Sequence, residues 1–241
     1  MHLLNRIAVI TGASRGLGRA MAVALSQQGV RVAMVGRHAD TLRGVPGSEA
    51  FVADVTVEAD IVRLEAEVSA RMGKVQILIN NAGVALRKDL TDITLAEWNH
   101  VQNANLTSAF LMSRTFIPHM KQAGWGRIIN IASIMSHISA TQRAAYSSSK
   151  SGLLGLTRVT ALELALDNIT ANSISPGWFE TEMTAPLQQN PEANAQILAK
   201  VPMGRWGKPE EIGSLAAYLC SDAAGFITGA DIVIDGGRCV T

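Results

Sequence analysis

"RIAVITGASRGLGRA", residues 6–20, contains the turn on which the reading of the fold depends. A short β-branched run, RIAVITG, passes through TGASRGLG (11–18) directly into LGRAMAVALSQQG, a helical pattern closed by Gly29. Strand, glycine-rich loop and helix stand in the order a nucleotide site requires. Gly12 permits a tight turn, Gly16 a close approach of backbone to a pyrophosphate, and Gly18 close packing of helix on strand. The helix N-terminus then offers free N–H groups and the positive end of its dipole to the phosphates. The spacing, Gly-x3-Gly-x-Gly, departs from GxGxxG, and glycine is the default residue of any tight turn. The strand–loop–helix context therefore carries more of the argument than the glycines do.

Working outward, six further runs resemble the first: VRVAMVG, EAFVADV, VQILINNAG, RIINIAS, NITANSIS and ADIVIDGG. They are apolar almost throughout rather than alternating, as expected of strands covered by helices on both faces. Helical patterns lie between them, for example EADIVRLEAEVSARMG, which ends on Gly73. The connection RHADTLRGVPGS, with Pro46 and two glycines, leaves room for one or two helical turns. The alternation predicts an α/β fold, a Rossmann-type doubly wound parallel sheet of about seven strands with helices on both faces. No repeat, linker or low-complexity tract divides it, so residues 1–241 are read as a single dinucleotide-binding and catalytic domain.

Composition narrows the partners. Lys+Arg 21 against Asp+Glu 20 gives a net charge of +1, which offers no electrostatic case for nucleic acid or an anionic membrane. Cys220 and Cys239 show no CxxC and no histidine at ligand spacing, so neither a disulfide framework nor a metal site is expected, and the reduced cytoplasm fits best. The opening MHLLNRIAVITG lacks the pattern of a leader, and no run of about 18 apolar residues follows, so no membrane span is expected. The partner is a small molecule.

A second stretch, AAYSSSKSGL (144–153), sets Tyr146 and Lys150 four residues apart, on one face of a helix. A fixed ammonium beside a phenol would favour the phenolate and lower its pKa from about 10. Spacing alone leaves two readings open, a catalytic pair or an ordinary helix face.

These pieces together resemble the short-chain dehydrogenase/reductase family: TGASRGLG, the DV of 54–55, NNAG (80–83), Asn105, Ser133, YSSSK (146–150), PGWFET (176–181) and the ending PMGRWGKPEEIGSLAAYLCSDAAGFITGADIVIDGG. They occur in family order and span the chain. The resemblance implies that Tyr146 donates the proton in ketone reduction, that Ser133 holds the substrate oxygen, and that Lys150 lowers the tyrosine pKa and contacts the nicotinamide ribose. Asn105 would anchor a water relay toward Lys150, against the alternative that it only satisfies backbone groups where a helix bends. The implied cofactor set is Gly12, Ser14, Arg15, Gly16, Leu17 and Gly18 of the loop, Arg37, Asp54 and Val55 near adenine, and Asn81, Ala82 and Gly83. Tyr146 and Lys150, with Pro176, Gly177, Phe179 and Thr181 near the nicotinamide, complete it.

Gly36, at the end of the second strand, stands where relatives that prefer NAD carry an acid, and Arg37 and Arg15 add cations. NADP(H) is therefore expected over NAD(H). The segment of about 178–206 reads as a mobile substrate lid, with Trp178, Phe179, Met183, Leu187 and Met203 facing a small, fairly apolar ketone or secondary alcohol. By resemblance the helices starting near Leu106 and Ala145 would pair subunits into a homotetramer through Phe110, Leu111, Leu153, Leu154 and Leu156. The alternatives are a 3-oxoacyl-carrier-protein reductase, an NAD-linked sugar or polyol dehydrogenase, and a dinucleotide-binding protein without activity. Against carrier use stand Gly124 and Asp167, where carrier-using relatives present arginine, although Arg114, Lys121, Arg127 and Arg143 could substitute.

Overall fold

The computed structural model describes residues 3–241. The leader reading touches Met1 and His2, which lie outside them. The apolar runs form seven strands: β1 (Ile7–Thr11), β2 (Arg31–Gly36), β3 (Ser48–Val52), β4 (Ile77–Asn80), β5 (Gly126–Ile131), β6 (Ile169–Pro176) and β7 (Asp231–Ile234). They pair in parallel in the order β3-β2-β1-β4-β5-β6-β7. Successive strand residues feed two cores. Ala8, Ile10, Val32, Met34, Ile77 and Ile79 pack toward α1 (Gly16–Gln27) and α8 (Pro209–Cys220). Ile7, Val9, Ala33, Val35 and Leu78 pack toward α2 (Glu58–Arg71), α4 (Ser108–Ala123) and α5 (Ala144–Leu164). Burial on both faces is why these strands lack alternation.

The β2–β3 connection holds a single 3-10 turn, Ala39–Thr41, as its length required. α3 (Leu95–Gln102) runs into one π turn, Asn103–Thr107, before α4 begins. Gly29 and Gly73 sit just beyond α1 and α2 with φ of 80° and 106°, stopping both helices in the left-handed conformation. Between Trp178 and Trp206 the chain leaves the sheet, forms α6 (Ala185–Gln189) and α7 (Pro191–Leu198), and returns. The two ends of this excursion are held together: the Trp178 and Trp206 rings meet edge to face at 5.8 Å, and Phe179 bridges Gly207 in parallel. No helix among the described residues is long and apolar enough to cross a membrane.

β1 has β2 on one side and β4 on the other. The crossovers reverse direction there, which opens a crevice at the carboxyl edge of the sheet.

Candidate active site

The glycine loop fills that crevice. Gly12 and Gly16 have φ of 63° and 53°, a region that L side chains rarely adopt. Gly18 is required for space: a Cβ there would stand 2.4 Å from both the Asn81 amide nitrogen and the Gly12 carbonyl oxygen. α1 starts without a side-chain cap and with no acid in its first turn, so its N–H groups remain available to an anion. The residues present fit a bound dinucleotide.

Asn81 acts first on the protein itself. Its amide donates to the Thr11 and Gly12 carbonyls at 2.9 and 3.0 Å, clamping the β4 end to the loop. Thr11 answers from β1, its hydroxyl accepting the N–H groups of Asn81 and Ala82, both at 3.0 Å. Thr11 was missed in the sequence reading, where only its place before Gly12 could have signalled it. Asp54 likewise spends its carboxylate locally, accepting the Thr56 N–H and hydroxyl at 2.9 and 2.7 Å, and Val55 is buried in the core. Arg37 is exposed at the end of β2, and Arg15 is exposed with Glu182 at 3.6 Å. The Phe179 ring is buried under Gly207, where a Cβ would lie 2.5 Å from it. That corrects its expected place in the substrate pocket. Thr181 meets the glycine loop, 3.5 Å from where a Cβ on Gly16 would project.

Ser133, Tyr146 and Lys150 come together on the same edge. Ser133 opens a 3-10 turn after β5 and accepts the Met135 N–H at 3.1 Å. Burial raises the Tyr146 pKa, and a hydrogen bond from Ser133 and the charge of Arg143 oppose the rise. Lys150 is 4% exposed, donates to the Ile131 carbonyl at 2.6 Å, and lies 5.9 Å from the Tyr146 ring centroid. Its ammonium is thus turned to a carbonyl. Burial brings Lys150 itself down from 10.5 to about 8.

Asn105 sits in the π turn, buried. Its side-chain oxygen accepts the Val84 N–H at 2.7 Å, and its amide donates to the Val84 carbonyl at 3.0 Å and to Ser149 Oγ at 2.9 Å. Ser149 in turn donates to the Tyr146 carbonyl at 2.7 Å. Every polar atom of the Asn105 side chain therefore has a protein partner. Gly83 brings it close to Lys150: a Cβ on Gly83 would be 2.9 Å from Asn105 Oδ1 and 3.5 Å from Lys150 Nζ.

The low Lys150 pKa has a thermodynamic consequence. Below a pH of about 8 the folded protein holds a buried charge that the unfolded chain solvates. That penalty fades as pH rises toward 10.5, because the unfolded state then binds the extra proton. A shift of this size corresponds to about 3 kcal/mol. Relative to Lys150→Met, the wild type is expected to gain roughly that stability between these two pH values, measured as urea midpoints at each. Parallel curves for the two proteins would refute the buried charge.

A crevice at the reversal of a parallel sheet, bordered by a phenol, a hydroxyl and an ammonium, defines an oxidoreductase that works on a bound dinucleotide. The comparisons agree. The family model described as Enoyl-(Acyl carrier protein) reductase matches residues 12–238. The 2-dehydro-3-deoxy-D-gluconate 5-dehydrogenase of Dickeya dadantii is 35% identical over 243 residues, covering 98% of this chain and 96% of its own. The 3-oxoacyl-[acyl-carrier-protein] reductase of Escherichia coli is 35% identical over 242 residues, covering 98% of each. A crystal structure of a gluconate 5-dehydrogenase from Burkholderia cenocepacia in complex with NADP and tartrate superposes with a TM-score of 0.93 at 30% identity, over 99% of this chain and 96% of that one. The chain belongs to the short-chain dehydrogenase/reductase family, and the relatives named here are dehydrogenases and reductases.

Proposed function

We propose that the protein is an NADP(H)-dependent oxidoreductase acting on a small ketone or the matching secondary alcohol. The observation that carries this reading is the convergence of Tyr146, Ser133 and Lys150 beside an uncapped α1 N-terminus. When bound, the nicotinamide supplies or accepts the hydride. The protein's own task is the charge that develops on the substrate oxygen. Ser133 positions that oxygen by hydrogen bonding, and Tyr146, held in its protonated form by burial, delivers the proton from its phenol oxygen. Lys150 presents a cation to the ribose side, and Asn105 fixes the loop at Val84 against α5 through Ser149. The glycine loop with Ser14, Arg15 and Leu17 would hold the pyrophosphate, Asp54 to Val55 and Ala82 to Gly83 the adenosine side, and Pro176, Gly177 and Thr181 the nicotinamide. The segment 178–206 would serve as lid, with Met183 and Met203 exposed for the substrate's uncharged part.

Carrier-protein reduction is the second reading, and the charges on that face favour it less. Arg127, counted earlier among the substitutes, is 2% exposed and stacked on Trp125. Lys121 is tied to Asp167 at 2.9 Å, and Arg114 pairs with Glu58. A turnover screen of free ketones against an acetoacetyl group on carrier protein, each with NADPH and NADH, tests both readings. Higher efficiency on free ketones is expected, and a salt-sensitive advantage for the carrier form would reverse the ranking.

The assembly is proposed to be a homotetramer, on surfaces partly different from those first expected. Leu111, Leu153 and Leu154 face the chain's own interior, whereas Phe110, Val159, Leu162 and Leu166 are exposed along α4, α5 and the turn beyond it. Leu162 is 81% exposed, an apolar stripe that a partner subunit would cover. Light scattering is expected to give four chain masses, and one chain mass would refute it. Cys220 and Cys239 are free thiols, which supports a reducing, cytoplasmic setting.

A further inference from the structure

One carboxylate beside the carboxyl-terminal half of β6 ties together three elements. Asp231 opens β7 opposite Ser173, and its side chain is 14% exposed. It accepts the Ser173 hydroxyl at 2.5 Å and, through its two oxygens, the Ser175 hydroxyl at 3.0 and 2.8 Å. Both serines are buried, and Ser175 directly precedes Pro176. His137 completes the set from outside the sheet, its Nε2 donating to Asp231 Oδ2 at 2.5 Å. A carboxylate enclosed in this way needs a strongly polar or cationic partner, and the imidazole supplies it. Neither side chain takes part in the proposed chemistry.

His137 closes the short turn that Ser133 opens. That turn is a single hydrogen-bonded unit. Ser133 Oγ accepts the Met135 N–H, the Ser136 N–H donates to the Ser133 carbonyl at 2.8 Å, and the His137 and Ile138 N–H groups donate to the Ile134 carbonyl at 3.0 and 2.9 Å. A displacement of His137 is therefore passed back to Ser133 through the backbone. Ile134 is buried and seats the turn in the core, but apolar contact is non-directional and does not orient a hydroxyl. Among the described residues, the bond from His137 to Asp231 is the only side-chain hydrogen bond from residues 134–137 to the sheet. It is directional, and through Asp231 and Ser175 it binds the turn to the strand that leads into Pro176 and Gly177.

We infer that His137 and Asp231 are positioning residues for Ser133: their contact fixes the turn so that the Ser133 hydroxyl meets the substrate oxygen. This rests on the reading of Ser133 as the group that holds that oxygen. Neither His137 nor Asp231 has to touch substrate or cofactor to act in this way. Loss of the contact leaves the serine in place but loosely aimed, and a misplacement of about 1 Å at a reacting group can cost about 10²-fold in rate.

The test uses the free ketone that the wild type turns over fastest, with methyl acetoacetate and 2,3-butanedione among those tried, under saturating NADPH. His137→Ala and Asp231→Asn are each expected to lower kcat by about tenfold, with KM for the ketone and Kd for NADPH within about twofold of wild type. His137→Gln, whose amide nitrogen can still donate to Asp231, should recover most of the loss. The deciding comparison is a double-mutant cycle. Added to Ser133→Ala, the His137→Ala change should cost less than about a further twofold in kcat, because the hydroxyl it would misaim is already gone. Should Asp231→Asn fail to fold, the His137 variants carry the test alone, since that side chain is 34% exposed and unfolding temperatures show whether the fold survives. Full activity in His137→Ala, no recovery in His137→Gln, or losses from His137→Ala and Ser133→Ala that multiply in the double variant would each overturn the inference and leave the oxidoreductase reading intact. A Ser133→Ala enzyme with undiminished kcat would instead bring down the reading of Ser133, and the inference with it.

Discussion

Tyr146→Phe is expected to lower kcat by about 10²- to 10⁴-fold while leaving the Kd for NADPH within about twofold of wild type. The substitution removes one oxygen and keeps the ring, so the packing of α5 against β5 and β6 is preserved. What disappears is the group that balances charge on the substrate oxygen, and Ser133 alone can donate a hydrogen bond but not complete the proton transfer. The raised phenol pKa adds a direction. Tyr146 stays protonated through neutral pH, so reduction should be nearly independent of pH up to about 8, where Lys150 begins to lose its charge, whereas alcohol oxidation, which needs the phenolate, should rise with pH. Stopped-flow turnover and fluorescence titration of NADPH check both halves. Residual activity above about a tenth of wild type would remove Tyr146 from the role of proton donor.

Gly36→Asp is expected to cut the ratio of NADPH to NADH efficiency by roughly ten- to a hundredfold. Gly36 ends β2 at the carboxyl edge of the sheet, and its φ is not in the left-handed region, so a side chain is tolerated by the backbone. A new Cβ would approach Leu42 Cδ2 to 3.2 Å, the tip of a flexible side chain that can yield. The carboxylate would then repel a 2′-phosphate near Arg37 and offer the ribose hydroxyls an acceptor. Binding constants for both cofactors, measured without turnover, separate this effect from any change in chemistry. A wild type that uses both cofactors equally, or a variant whose ratio stays within about twofold, would contradict the proposed selectivity.

The sheet was readable in advance because its determinants are local. All seven strands overlap the apolar runs; four fall inside them, as in VQILINNAG, of which only Ile77–Asn80 remains strand, and β3, β5 and β6 extend one residue beyond theirs at Ser48, Gly126 and Pro176. Gly12 and Gly16 adopt positive φ where the turn demanded it. Tyr146 and Lys150 share α5 as four-residue spacing required. Periodicity and glycine placement report backbone conformation within a few residues, and these features ask for nothing more.

The sequence by itself therefore determined the α/β class, the strand set, the glycine loop and the placing of Tyr146 and Lys150 on one helix. Only the tertiary structure decided which polar groups meet. Asn81 reaches Thr11 and Gly12 because β4 lies beside β1, and Asn105 reaches Val84 and Ser149 because a π turn offsets the helix that carries it. Arg127 is lost to the surface because its strand is covered, and the loop after β4 is tied to the turn before α5 by one backbone hydrogen bond, from the Lys88 N–H to the Gln142 carbonyl. A hydrogen bond or an ion pair depends on ångström distances between groups far apart in the chain, which strand order, register and loop closure set together and which the spacing of residues along the chain does not encode.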